Sequence, residues 1–447
     1  MKFLPFKKNK QVDNEPEENN VIPLNHREEG PVNSVRQRLK VFAEKRVSLI
    51  ICIAAVLLIL GVVYYMLHRT YRGYRVVRHN DTNYENTADY IQFGGNLLKY
   101  TPDGVSYINT NGDTVWTAGV DMKMPMAVSS GDYAVVADMS GNSIYVFNKD
   151  GQVSNQTMPY TICDVDVSSQ GCIAVVLESD KTNYINCYDK SGDIIYEIQT
   201  TIDKSGYPLD IAISNDGQKL ITSYIRIVGN RVENELAAYN FGVVGQNANA
   251  DRLVGGFTFD DEIISQVEFV DNDTIVAFGT NTITLYSMLE KPTVKKSIDY
   301  SGELTSVFSN KKYIGYVQNV MQEGTTEPRY KVTIYDLRGN KEFSAYLNFD
   351  YDSIYAADKE IIFSGGSRCK IFRKNGSTKF DGTFAGNVLS VTPTGSHLEY
   401  VVVYDAATEI VKLKKDSGKK KATTEEEYAT FTDAYPVREQ ASGTDSD

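Results

Sequence analysis

The chain has 447 residues, with 58 Asp and Glu against 46 Lys and Arg, a net charge of -12. That balance sets aside nucleic acid as a partner, since the phosphate backbone would meet a surface of its own sign, while the length allows one large core or two smaller ones. Thirty Tyr, 33 Gly and 12 Pro, with few long apolar helical patterns, point to an all-β domain of many short strands.

Residues 1–33 are rich in Asn, Glu, Lys and Pro and lack aliphatic clusters, so a disordered tail is expected there. In residues 34–46, SVRQRLKVFAEKR, Val35, Leu39 and Phe42 recur at helical spacing among bases. Such a segment either lies on anionic lipid or simply extends the helix that follows. Residues 47–67, VSLIICIAAVLLILGVVYYML, contain no Asp, Glu, Lys, Arg or Pro, and a helix of that length spans a hydrocarbon layer of roughly 30 Å. One transmembrane helix is predicted. It begins after 46 polar residues and ends in Tyr64-Tyr65-Met66-Leu67-His68-Arg69, unlike a cleaved signal. Ten Lys and Arg precede it and Arg69, Arg72, Arg75 and Arg78 follow, which keeps the tail cytoplasmic and sends the long domain outside.

Residues 68–84 read as a connector and 85–422 as the extracytoplasmic domain, in which a repeat is visible. INTNG pairs Ile108 with Gly112, FNKDG Phe147 with Gly151, YDKSG Tyr188 with Gly192, YDLRG Tyr335 with Gly339 and FRKNG Phe372 with Gly376. Intact units recur at about 40 residues, the length of a propeller blade, and each Gly supplies the φ > 0 of a tight strand reversal. An apolar strand precedes each turn, at 96–100, 133–138, 172–177, 219–224, 274–278, 313–317, 360–363 and 398–404. Two units, AAYNFG at Ala237 and TLYSMLEKP at Thr284, are irregular and imply loop insertions. Before the apolar strands stand DVDVSSQG at Asp164, DIAISNDG at Asp210, VEFVDND at Val267, SVFSNKK at Ser306 and LSVTPTG at Leu389, which read as innermost strands. The expected fold is a β-propeller of four-stranded blades. There are eight blades, or seven if the first and last partial units share one, and no fourth strand is evident after EIVKLKKDSGKKK. Residues 423–447 read as a disordered acidic tail.

Chemistry is poorly represented in this text. His26, His68 and His79 lie in the tail or beside the membrane helix, and His397 in PTGSHLEY reads as an exposed turn residue. Asp260-Asp261-Glu262 and Asp271-Asp273 are acidic turns without EF-hand spacing, so no catalytic residue, metal or cofactor is expected. Cys163, Cys172 and Cys187 fall in one blade and Cys369 elsewhere; small buried hydrophobes, or one disulfide within that blade, account for them. Tyr160, Tyr207, Phe259, Tyr300, Tyr351 and Phe384 each stand just before an innermost strand. They either ring the mouth of the channel as a binding site or pack neighbouring blades together.

The units YDKSGDIIYEI and FNKDGQV resemble repeats of quinoprotein and WD-type propellers over roughly residues 85–420, without the Gly-His and Trp-Asp pairs of the WD signature; Trp116 reads as lying on an outer strand. The plan of basic tail, one helix and degenerate propeller resembles an uncharacterised single-pass family of clostridial-type bacteria, domain of unknown function 5711. That resemblance implies an architecture and no activity. The expectation is a non-catalytic binding or scaffolding module at the cell envelope, whose partner is an envelope protein or cell-wall glycan. Its alternatives are an envelope hydrolase using channel-facing carboxylates and a sensor signalling through its cytoplasmic tail.

Overall fold

Segments such as YAVVAD at Tyr133–Asp138 and TIVAFG at Thr274–Gly279 carry apolar or small residues at nearly every position, which suits a strand covered on both faces. In the computed structural model these two are the second strands of two four-stranded blades. The structure describes residues 49–65, 68–81, 88–320 and 329–415, so the expectations for residues 1–33, 34–46 and 423–447 lie outside the described residues. The chain divides after Leu67 into two units.

In the first unit, residues 49–65 are helical and every side chain is exposed, from 46% at Val62 to 68% at Leu58 among the large apolar ones. Among the described residues no helix is by itself long and apolar enough to cross a membrane. Residues 47, 48, 66 and 67 of the 21-residue apolar segment lie outside the described residues.

The second unit is a ring of eight antiparallel four-stranded sheets. Blade 1 begins at Asp89–Phe93, blade 2 at Pro125–Ser130, blade 3 at Thr161–Val167 and blade 4 at Tyr207–Ile213. Blades 5 to 8 begin at Ile264–Phe269, Leu304–Ser309, Ser353–Ala356 and Val388–Pro393. Most of these first strands touch the first strand of the next blade, and blade 8 touches blade 1, which makes them the inner wall. Eight it is, with the sharing also present. Blade 8 takes three strands from the C-terminal end, and its outer strand is Gly73–Asp81, paired with Ala407–Lys414 from Gly73 opposite Lys414 to Asp81 opposite Ala407. Blade 1 is complete without that strand, so sharing costs no blade.

Residues 68–84 are therefore not merely a connector. GYRVVRHND carries no apolar alternation because an outermost strand is covered on little of its surface, and four central residues of this one are exposed. Polar contacts fasten it instead: His79 Nδ1 lies 2.9 Å from Glu409, Arg78 bonds Asp113 of blade 1 at 2.6 Å, and Asn80 donates to the Gly112 carbonyl. Just ahead of it, Tyr71 is buried, donates its N–H to Lys379 O and accepts from Asp381 N.

The core lies between blades. Val135, Val146, Ile162, Val165, Ile173 and Leu177 form one such interface between blades 2 and 3, and full burial of side chains of this size contributes about 1.5–3 kcal/mol each. Trp116 sits on Thr114–Gly119, the outer strand of blade 1, as read from the repeat. The irregular unit at Ala237 has a six-residue helix, Val243–Ala248, where other blades have a tight turn.

Candidate functional site

An innermost strand pairs on one side only, so its other edge faces the axis with N–H groups that the ladder leaves unpaired. Carboxylates supply the missing acceptors. On Thr161–Val167, Val165 and Val167 point into the core while Asp164 and Asp166 alternate to the other side. Asp164 accepts from its neighbour Val165 N at 2.8 Å and from Ile211 N of the next blade at 3.1 Å. Asp166 repeats the pattern with Val167 N and Ile213 N, both at 2.8 Å. One blade further, Asp210 accepts from Val267 N at 2.6 Å. Each acid thus stitches the inner strand of its own blade to that of the next. Five innermost strands carry a register shift just before the residue equivalent to Asp164, which is Asp210, Gln266, Ser306 or Ser390 in the other four. Such a bulge re-aims the side chain that follows it.

These acids converge on a cleft of about 470 Å³ along the axis, walled by the inner strands of blades 2 to 5, with Glu268 as a fourth carboxylate and Met126 at its side. No Lys, Arg or His lines it. Burial raises all four carboxyls: Asp166 to about 7, Asp164 and Glu268 upward, and Asp210 to about 9, where the charge of Asp164 adds to burial. Asp164 and Asp210 share a hydrogen bond, so the pair keeps one proton at neutral pH. Glu268 is held by Gln266 Nε2 and by the Ser309 hydroxyl. Among the described residues no three His, Cys, Asp or Glu side chains are grouped to hold a metal ion.

The six aromatics lie on or beside the blade-to-blade connections, and no ring contact joins two of them. Phe384 is buried against Phe380 and Tyr74. Tyr351 packs edge-on to Tyr330 and Phe363 and bonds Ser306 through its hydroxyl at 2.7 Å. Phe259 packs against the cluster between blades 4 and 5. Tyr300 lies tilted against Tyr316, its hydroxyl on the Gly279 carbonyl, and Tyr207 reaches Glu178 at 3.4 Å. Tyr160, 38% exposed, lies parallel to Tyr184 at 5.0 Å. Replacing Tyr351 by Ala is expected to cost about 3–5 kcal/mol in chemical denaturation, and replacing Tyr160 less than about 1 kcal/mol. Equal losses at the two positions would contradict this division into packing and surface rings.

Three of the remaining acidic candidates have structural partners. Glu262 accepts the N–H groups of Asn281 and Thr282, Asp273 pairs with Lys219, and Asp271 caps the N–H of Asp273. His397 is exposed in a turn. All five cysteines are free, Cys187 and Cys369 buried, so the disulfide alternative does not hold. The channel acids themselves stand in DVDV, DIAI and VEF, strings whose strand character is legible but whose acids look like the wet side of an ordinary half-buried strand.

A family model described as "Family of unknown function (DUF5711)" matches residues 67–413. Nothing matches among curated proteins. Among solved structures, BamB from Moraxella catarrhalis is 10% identical with a TM-score of 0.44, covering 76% of this chain and 100% of that one. Sqt1 from Chaetomium thermophilum, bound to the N-terminus of the ribosomal protein L10, is 10% identical at 0.49 with the same coverage. Apo AztD from Citrobacter koseri is 11% identical at 0.47, covering 68% and 88%. Likeness of this degree carries no information on ligand or activity.

Proposed function

The chain belongs to the DUF5711 family of unknown function, and from that premise we propose that it is a membrane-anchored propeller outside the cytoplasm, binding or scaffolding a partner at the cell envelope without catalysis. The observation that carries the anchor is the helix at 49–65, whose side chains are exposed on all sides and almost wholly apolar. An uncovered surface of that kind is costly in water and favourable in lipid, and the flanking apolar residues of the sequence complete a span. Binding, rather than chemistry, is supported by the carboxylates of the channel: the oxygens of Asp164, Asp166 and Asp210 already accept backbone N–H groups, the role of stitches. The chain enters the propeller on the face opposite the blade-to-blade connections, where His68 meets Asn375 of the FRKNG turn.

In cells, the full chain is expected to stay in the membrane pellet through an alkaline carbonate wash. Protease added outside should digest the propeller and spare the N-terminal tail. A chain released by the wash, or a propeller protected in intact cells, would overturn the reading.

A further inference from the structure

On the connection face at blades 2 and 3, three segments are tied into one platform. Met139 N donates to Met124 O at 2.9 Å, Ser140 N to Ile162 O at 3.1 Å and Ile162 N to Gly141 O at 2.9 Å. Buried Asp138 accepts from the N–H groups of Lys123 and Met124. The backbone is held, yet what it presents is apolar and uncovered: Met124 is 59% exposed, and Tyr160, two residues before Ile162, is 38% exposed on its stacked partner Tyr184. Met126 and Met139 are half-buried against the same cluster as Tyr184, and Met126 also lines the acidic cleft. Five of the nine Met in the chain fall between residues 122 and 158.

Building on the binding role proposed above, we infer that this methionine and tyrosine platform docks a protein segment in which an apolar side chain is followed by a Lys or Arg that enters the channel cleft. Thioethers and stacked rings offer adaptable apolar contact and few hydrogen bonds, which suits an aliphatic side chain and not the hydroxyl-rich edge of a sugar. The charge complement is one-sided. Asp164, Asp166, Asp210 and Glu268 line the cleft without a basic residue among them, so an arriving cation meets no charge of its own sign. Because Met126 belongs to both surfaces, one short segment reaches both.

The test uses the full chain in lipid nanodiscs with carbon-13 methyl-labelled methionine. Three probes are titrated: a short peptide of two leucines followed by lysine, the same peptide with glutamate for lysine, and a soluble N-acetylglucosamine oligomer. The lysine peptide should move the Met124, Met126 and Met139 signals and leave that of buried Met288 in place. The glutamate peptide should bind at least about tenfold more weakly. Met124→Gln or Tyr160→Ala should each weaken the lysine peptide by about tenfold, and Ile194→Gln on the outer strand of blade 3 should not change it. Equal binding of the two peptides, signals moved by the sugar alone, or no shift at these methionines overturns the inference. Photocrosslinking from positions 124, 194 and 374 in intact cells separates the two levels. Crosslinks from 194 or 374 alone discard this surface and keep the binding module, and crosslinks from none discard both.

Discussion

A chain in which residues 68–81 are replaced by a Gly-Ser linker of equal length is expected to lose its folded propeller. The replacement strips blade 8 of its outer strand along all eight paired positions, from Gly73 opposite Lys414 to Asp81 opposite Ala407. It also removes Tyr71, which is buried among Phe380, Phe384 and Tyr400, and leaves their cluster open on that side. Backbone hydrogen bonds contribute about 0.5–1.5 kcal/mol each net and a buried aromatic about 3–5 kcal/mol on truncation. The combined loss is comparable with the whole stability of a typical domain, about 5–15 kcal/mol. The bare edge of Ala407–Lys414, with Ile410, Val411 and Leu413 behind it, would then be open to pairing between molecules. Gel filtration and thermal melting of the replaced chain against the native one check this, and a monomer with an unchanged melting temperature would contradict it. A fragment beginning near residue 85 is expected to fail for the same reason.

The second large effect is on pH. Asp166 and Asp210 have folded pKa values of about 7 and about 9, above the unfolded value near 3.8. Between those limits the folded state binds more protons than the unfolded one, so unfolding free energy falls as pH rises. The sign is opposite to that of a salt-bridged carboxylate. Stability contributed by the protonated acids is complete below about pH 4 and is lost as pH passes 7 and then 9. The melting temperature is expected to decline from pH 6 to pH 9.5, a loss of about 1–3 kcal/mol in this buried setting. Asp210→Asn should flatten the upper part of that decline, because an amide donates to Asp164 as the protonated acid does and can still accept from Val267 N. A variant that loses stability with pH as steeply as the native chain would contradict the shared proton.

The legible parts of the fold were those where burial leaves a signature at every residue. Second strands such as Tyr133–Asp138 are covered on both faces and read as unbroken apolar runs, and turns such as Tyr188 to Gly192 need φ > 0 at one position, which Gly192 meets with φ 100°. Gly73–Asp81 was hidden because its contacts are a ladder and a few ion pairs, neither of which constrains residue type along the strand. Residues 243–248 replaced a turn by a helix, so the spacing slipped there. The channel acids failed for a subtler reason. Asp164 and Asp166 alternate with core valines as solvent-facing residues do, and only the ring geometry turns that side toward a neighbouring strand's bare N–H groups. Aromatic spacing located the connections correctly, yet Tyr351 and Phe384 serve packing, while exposed Tyr160 stacks on half-buried Tyr184, which no repeat position marks.

The pairing of Gly73 with Lys414 also sets a clock on biosynthesis. The first strand made is the last to find its partner, since about 340 residues must be added before Lys414 exists. At about 5–20 residues per second the ribosome needs roughly 17–70 s for that stretch. Throughout it the ring is open, and any chain that ends early stays open.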